Sequence, residues 1–107
     1  MKVLHLISGG DTGGAKTHVH SLLTGLKAKI QVRLVCFMEG PFAQEARELG
    51  IDTYVIPGPN FLSALGTLSR MVREEGFDLL HSHGARGNMM AALLSRRTHL
   101  PTVSTVH

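Results

Sequence analysis

The feature that most constrains the fold of this 107-residue chain is an alternation of short apolar runs with longer, helix-periodic segments. The first run, Val3–Ile7, ends at glycines, which is typical of a buried strand. The next apolar residues recur at i, i+3, i+4 and i+7, on one face of a helix, at Val19, Leu22, Leu23 and Leu26. The same alternation continues along the chain and predicts strands joined by helices.

The predicted strands are Val3–Ile7, Ile30–Cys36, Thr53–Ile56, Leu79–His83 and Thr102–Val106. Between the second and third strands, a helix is expected to open at Pro41 and to carry Phe42, Ala46 and Leu49 on one face. Short connections between strands and helices require a parallel sheet with helices on both faces. We therefore predict one α/β domain over residues 1–107, a Rossmann-like three-layer αβα sandwich with five parallel strands in the order 3-2-1-4-5.

Composition excludes several classes of protein. The single cysteine, Cys36, rules out an internal disulfide and a cysteine-based zinc site, and its apolar neighbours predict a buried thiol. The net charge is only +3, without a run of Lys and Arg, so no nucleic-acid partner is expected. The longest apolar run, Met89–Leu94, is far shorter than the roughly 20 residues that cross a bilayer, and no signal peptide is visible. We expect a cytoplasmic location.

A glycine-rich segment, Ser8–Thr17, lies between the first strand and the first helix. Its glycines let backbone amides approach a phosphate, and the helix terminus adds partial positive charge. A Walker A loop is disfavoured because Ala15 replaces its second glycine, and the dinucleotide fingerprint fails on glycine spacing. A plain flexible turn remains an alternative. In the predicted strand order, this loop lies at the switch point, where such sheets bind ligands.

Histidines also gather near the predicted carboxyl ends of the strands. His81 and His83 share a strand face and could chelate a metal, but the spacing reveals no third ligand, so no metal site is predicted. His5 lies mid-strand and is interpreted as structural. His83 and His107 follow strands 4 and 5 at the same rim as the glycine loop, where an imidazole could hydrogen-bond a substrate hydroxyl.

Three segments together resemble the N-terminal domain of GT-B glycosyltransferases, specifically the retaining group called glycosyltransferase family 4. The first strand with Gly13–Val19 resembles the family's first strand and Gly-Gly-Ala loop. Phe77–Gly84 resembles its fourth strand with a His-x-His-Gly exit, and Pro101–His107 resembles its fifth strand ending in histidine. The resemblance spans the whole chain in the family's order.

The resemblance implies roles for individual residues. Gly13 and Gly14 would approach the diphosphate and sugar of a nucleotide-sugar donor, and His107 would contact the donor sugar. Acceptor-side candidates are Lys16, His83 and Arg86. No residue is assigned as catalytic. Neither a metal ion nor another cofactor is expected, because helix dipoles and basic residues serve the departing diphosphate in GT-B enzymes.

The same family has chains several times longer, so this chain is expected to be a fragment, a truncated half of a GT-B protein without its C-terminal domain. Alone it should be inactive, although the parent is an enzyme that uses a nucleotide sugar and an unknown acceptor. The parent is expected in the cytoplasm or peripheral to a membrane. A free-standing phosphate-binding α/β module and an engineered half-domain of structural role remain alternatives. Strand 5 would form an apolar edge, which favours a homodimer.

Overall fold

A computed structural model describes residues 1–8, 14–26, 29–56 and 60–105, without the side chains of residues 14–19 and 105. The strands are β1 (Lys2–Ile7), β2 (Gln31–Cys36), β3 (Asp52–Val55), β4 (Leu79–His83) and β5 (Thr102–Thr105). The helices are α1 (Gly14–Leu26), α2 (Pro41–Glu48), α3 (Phe61–Glu75) and α4 (Gly84–Thr98). Strands and helices alternate throughout, as the hydrophobic pattern predicts.

The five strands form one parallel sheet in the order β3-β2-β1-β4-β5, which confirms the predicted topology. The chain builds outward from β1 to β3, then returns to the other side of β1 with β4. The change of direction therefore falls between β1 and β4, where His5 is opposite His81 and Ile7 is opposite His83. In sheets of this kind, the connections on the two sides of such a junction leave in opposite directions, and ligands bind in the crevice between them at the carboxyl edge.

Two apolar cores cover the two faces of the sheet. On one face, Ile7 and Leu34 pack with Leu23 of α1 and Phe42 of α2. The larger core, on the other face, joins the sheet to α3 and α4 and is formed by residues such as Leu4, Leu6, Leu65, Leu68, Leu80, Met90 and Leu94. Cys36 is fully buried in the first core, as predicted.

Local chemistry explains where the helices begin and end. The side chain of Asn60 accepts a hydrogen bond from the Ser63 amide and caps α3, and Gly76 ends that helix with a φ of 71°. Pro41 opens α2 as predicted, but Leu49 does not share a helical face with Phe42 and Ala46. Since α2 ends at Glu48, Leu49 leaves the helical face and is 43% exposed. None of the described helices is long and apolar enough to cross a membrane.

Candidate functional site

The carboxyl edge of the sheet collects the segments that the sequence analysis selected. β1 ends at Ile7, and the carbonyl of the next residue, Ser8, accepts a hydrogen bond from the Phe37 amide at 3.0 Å, which fixes the exit of β1 beside that of β2. Gly14 is the first residue of α1, so the glycine-rich segment joins this exit to a helix amino terminus. Amides at such a terminus favour a bound anion.

Of the three residues predicted to contact the donor, the structure describes only Gly14. Gly14 begins α1, whereas Gly13 and His107 lie outside the described residues. Lys16 falls in the first turn of α1, and its side chain is likewise outside the described part of the structure. The roles of these residues therefore stay predictions. For Gly14 and Lys16, the prediction is based on the position of the α1 amino terminus at the carboxyl edge.

The amino terminus of α4 meets the same edge, because two glycines let the helix start there. Gly84 has a φ of 78°, in the left-handed region that favours glycine. A Cβ atom on Gly87 would come within 2.6 Å of the Leu6 carbonyl oxygen, so glycine allows α4 to lie against β1. Arg86 is exposed in this first turn, at a position open to an acceptor.

A hydroxyl cluster that the sequence analysis did not identify ties α4 to β4 and β5. The Ser82 hydroxyl donates to Oδ1 of Asn88 at 2.6 Å and lies 3.0 Å from the Ser104 hydroxyl. Ser82 is fully buried, so these contacts satisfy its polar group. Because the three residues lie on three different elements, only the assembled fold reveals the cluster.

On the opposite face, three histidines of β1 and β4 form what we call the histidine cluster: His5, His81 and His83. One ring nitrogen from each lies within 4.8 Å of the other two. Nδ1 of His5 and Nε2 of His83 are 3.2 Å apart and share a hydrogen bond in which either nitrogen can donate. The rings of His81 and His83 stack at 4.4 Å between centroids. Three close imidazoles can exchange protons or ligate a transition metal.

Burial controls the charge of this cluster. His5 and His83 are buried, whereas His81 is partly exposed. Burial, followed by repulsion from His81 and His83, lowers the pKa of His5 to about 3. His5 is therefore neutral at physiological pH. The predicted acceptor contact of His83 stays a prediction, and the burial of its ring favours a role in positioning other groups.

From the sequence alone, His5 is interpreted as structural, and no third ligand is evident beside His81 and His83. The structure places His5 directly across from His81. The signal that could have identified this neighbour was the predicted strand order, which places the first strand beside the fourth. The sequence does not predict the register of those two strands, and the register decides which of their residues are opposite each other.

The amino edge of the sheet holds a separate charge network. Arg33 of β2 donates to the carboxylates of Asp52 and Glu75, and its guanidinium lies over the Tyr54 ring. Burial opposes the charge of Arg33, but these two carboxylates outweigh it and raise the arginine pKa. In turn, the hydrogen bond from Arg33 lowers the pKa of Glu75. Lys2 joins the network through Glu75.

A surface depression of about 450 Å³ lies beside this network, lined by Lys2, Ile30, Gln31, Val32, Arg33, Gly50 and Asp52. Its central cation, Arg33, is already held by carboxylates of this chain. The depression is therefore better explained by the network that links β2, β3 and α3 than by a ligand. The carboxyl edge remains the candidate functional site.

The parallel sheet order and the alternating helices define a Rossmann-like α/β domain. A sequence model described as the glycosyl transferase 4-like domain matches residues 13–107. The chain belongs to this glycosyltransferase family. The resemblance of the glycine loop and of strands 4 and 5 to family 4 is thereby confirmed.

Individual relatives agree with this assignment. The protein named "Putative glycosyltransferase EpsF" from Bacillus subtilis (strain 168) is 29% identical over 107 aligned positions, which cover 94% of this chain and 28% of EpsF. The crystal structure of Anabaena HepE in complex with UDP and glucose superposes with a TM-score of 0.82 at 20% identity, over 97% of this chain and 29% of HepE. Acinetobacter baumannii MurG gives a TM-score of 0.79 at 17% identity, over 98% of this chain and 34% of MurG.

These matches confirm the fold as that of GT-B glycosyltransferase N-terminal domains. The chain spans less than a third of EpsF and of HepE and about a third of MurG. It therefore corresponds to only the N-terminal part of such proteins.

Proposed function

We propose that this chain is the N-terminal, acceptor-side domain of a retaining glycosyltransferase that moves a sugar from a nucleotide-diphosphate sugar to an acceptor. The observation that carries this proposal is the family match over residues 13–107. The open carboxyl edge between β1 and β4 supports it, because ligands of such sheets bind there. The complex of HepE with UDP and glucose supports a nucleotide sugar as the donor.

Within this proposal, Gly13 and Gly14 present backbone amides to the donor diphosphate and sugar. The position of Gly14 at the start of α1 supports this role, because amides at a helix amino terminus stabilise negative charge. His107 hydrogen-bonds the donor sugar. The diphosphate leaves without a metal ion, since helix termini and basic residues can stabilise the developing charge.

The acceptor occupies the remainder of the same edge. Lys16 lies in the first turn of α1 and Arg86 in the first turn of α4, on opposite sides of the crevice. Two basic residues placed in this way attract an anionic acceptor. His83, at the base between them, orients the neighbouring groups.

We also propose that the parent protein works in the cytoplasm, with a peripheral position at a membrane as a variant of this location. The single free thiol of Cys36 agrees with a reducing compartment. Within this proposal, a C-terminal domain of the parent protein supplies most of the donor contacts. A second copy of the chain pairs with the first along β5.

A transfer assay with a labelled nucleotide sugar tests the proposal. The 107-residue chain alone is expected to transfer no sugar, whereas the longer protein that carries this segment is expected to form product with the anomeric configuration of the donor. Transfer by the 107-residue chain alone would contradict the proposal that a C-terminal domain supplies most of the donor contacts. Product of inverted configuration from the longer protein would contradict the retaining mechanism.

A further inference from the structure

We propose that the histidine cluster, His5, His81 and His83, is a binding site for a transition metal ion such as Zn²⁺. The site lies at the junction of β1 and β4, on the sheet face covered by α1 and α2. It shares only His83 with the residues proposed for donor and acceptor, and metal binding does not depend on glycosyl transfer.

The distances between the ring nitrogens fit this assignment. Zn²⁺ binds histidine nitrogen at about 2.0–2.1 Å, so two ligands of one tetrahedral ion are about 3.3 Å apart. Nδ1 of His5 and Nε2 of His83 already lie 3.2 Å apart. One ring nitrogen of His81 lies within 4.8 Å of a ring nitrogen of each of the other two histidines. The His81 ring is partly exposed and stacks on the His83 ring at 4.4 Å between centroids, so it has to turn out of this stack to direct its nitrogen at the ion.

The backbone holds the three ligands in place before any metal arrives. His81 and His83 are two residues apart on β4 and so point to the same face. The parallel register sets His5 directly opposite His81. Both strands are interior strands of the sheet, so binding requires little ordering of the chain. Preorganised ligands of this kind favour affinity.

The ligand chemistry selects the metal. Imidazole suits zinc, copper, nickel and cobalt, whereas magnesium and calcium prefer oxygen. Among the described residues, no carboxylate or thiol belongs to this cluster. Three neutral nitrogen ligands leave a fourth position of a tetrahedral ion for water or another oxygen, as in catalytic zinc sites.

The cluster is accessible at its partly exposed member, His81. Entry is open on the β5 side, where Val103, the register neighbour of His81, is 47% exposed.

The test is titration of the 107-residue chain with Zn²⁺ alone by calorimetry and with Co²⁺ alone by visible absorption. We expect one ion per chain and the intense absorption bands of four-coordinate cobalt. Changes around a metal site that leave its ligands intact cost about 10–100-fold in affinity, so His81→Ala, which removes a ligand, should weaken Zn²⁺ binding by about 100-fold. His81 is the most exposed of the three, which makes its replacement the best tolerated.

The matched control is His99→Asn, which removes an exposed histidine outside the cluster. Asparagine tolerates the positive φ of 62° at this position. The dissociation constant of the control for Zn²⁺ should be within about twofold of that of the unsubstituted 107-residue chain. Zn²⁺ should raise the thermal unfolding midpoint of the control but not that of His81→Ala. Equal binding by the two variants, or no binding by the folded parent chain, would overturn the proposal and leave the cluster as a hydrogen-bonded group.

Discussion

Gly87 of α4 packs so closely on β1 that a Cβ atom there would lie 2.6 Å from the carbonyl oxygen of Leu6. The contact atom belongs to the backbone, so it cannot move aside as a flexible side chain would. This approach holds the amino terminus of α4, with Arg86, against the carboxyl edge. The absence of one side chain thus positions one wall of the candidate site.

We expect Gly87→Ala to destabilise the domain by about 1–2 kcal/mol. The overpacking costs about 1–3 kcal/mol, and the better helix propensity of alanine offsets up to about 1 kcal/mol of it. Urea unfolding followed by circular dichroism measures the change.

The matched control is Gly66→Ala in the middle of α3, where an added Cβ meets no atom within 4 Å. This variant should be stabilised by up to about 1 kcal/mol, because only the helix propensity changes. Similar stability changes in the two variants would show that the contact between Gly87 and Leu6 is not tight.

The ion pair between Arg33 and Glu75 predicts a specific dependence of stability on pH. The hydrogen bond from Arg33 holds the pKa of Glu75 below its ordinary value of 4.5. The stabilisation that the ion pair gives the folded state is therefore present above pH 4.5. It is lost as the pH falls through the lowered pKa of Glu75 in the folded state. Glu75→Gln should cost about 1 kcal/mol at neutral pH, since exposure of Glu75 screens the pair.

The experiment compares urea unfolding at neutral pH and at pH values below 4.5. In Glu75→Gln, stability should fall less steeply in acid than in the parent chain. Glu74→Gln removes an exposed neighbouring charge and should keep the parent slope. An unchanged slope in Glu75→Gln would mean that other carboxylates dominate the acid transition.

The glycine loop should bind an anion weakly, even without the C-terminal domain. Titration with inorganic phosphate, followed by amide NMR shifts at constant ionic strength, should move the amides of Gly13, Gly14 and Ala15 most. Lys16→Gln should weaken the effect, whereas Arg96→Gln, which removes the same charge from the last turn of α4, should not. Shifts confined to other loops would contradict the assignment of this loop to phosphate.

The topology was predictable because each element carries its own periodic signal and the connections are short. Arg33 shows where such local reasoning fails. In the sequence, Arg33 alternates with the apolar residues Val32 and Leu34, a pattern typical of a solvent-facing strand position. Arg33 is nevertheless buried, because Asp52 of β3 and Glu75 of α3 neutralise it. A local pattern does not contain partners that are 19 and 42 residues away.

The candidate site was predictable to a similar degree. Strand order and the glycine loop both indicated the carboxyl edge of the sheet, because parallel strands place their carboxyl ends together. The histidine cluster was missed because it depends on the register between β1 and β4. A register slip of one residue would move the side chains of one strand to the other face of the sheet. The cluster of Ser82, Asn88 and Ser104 depends in the same way on the packing of separate elements.

The last prediction concerns β5, which pairs only with β4 and forms an edge of the described sheet. Its residues 102–104 are exposed and uncharged, and Val103 presents an apolar side chain. Unprotected edges of this kind pair readily with another chain, so we expect a two-fold dimer at high concentration. Light scattering over a concentration series measures it, and a mass that stays at 11.6 kDa would defeat the prediction.

Two lysine substitutions separate edge pairing from general hydrophobic association. Val103→Lys places a charge on β5 and should shift the protein to monomer, because charged edge residues oppose strand pairing. Leu62→Lys adds the same charge at another exposed apolar position, which is 75% exposed in the first turn of α3, and should leave the dimer intact. If Leu62→Lys dissociates the dimer and Val103→Lys does not, the contact lies on the helical surface and β5 remains a solvated edge.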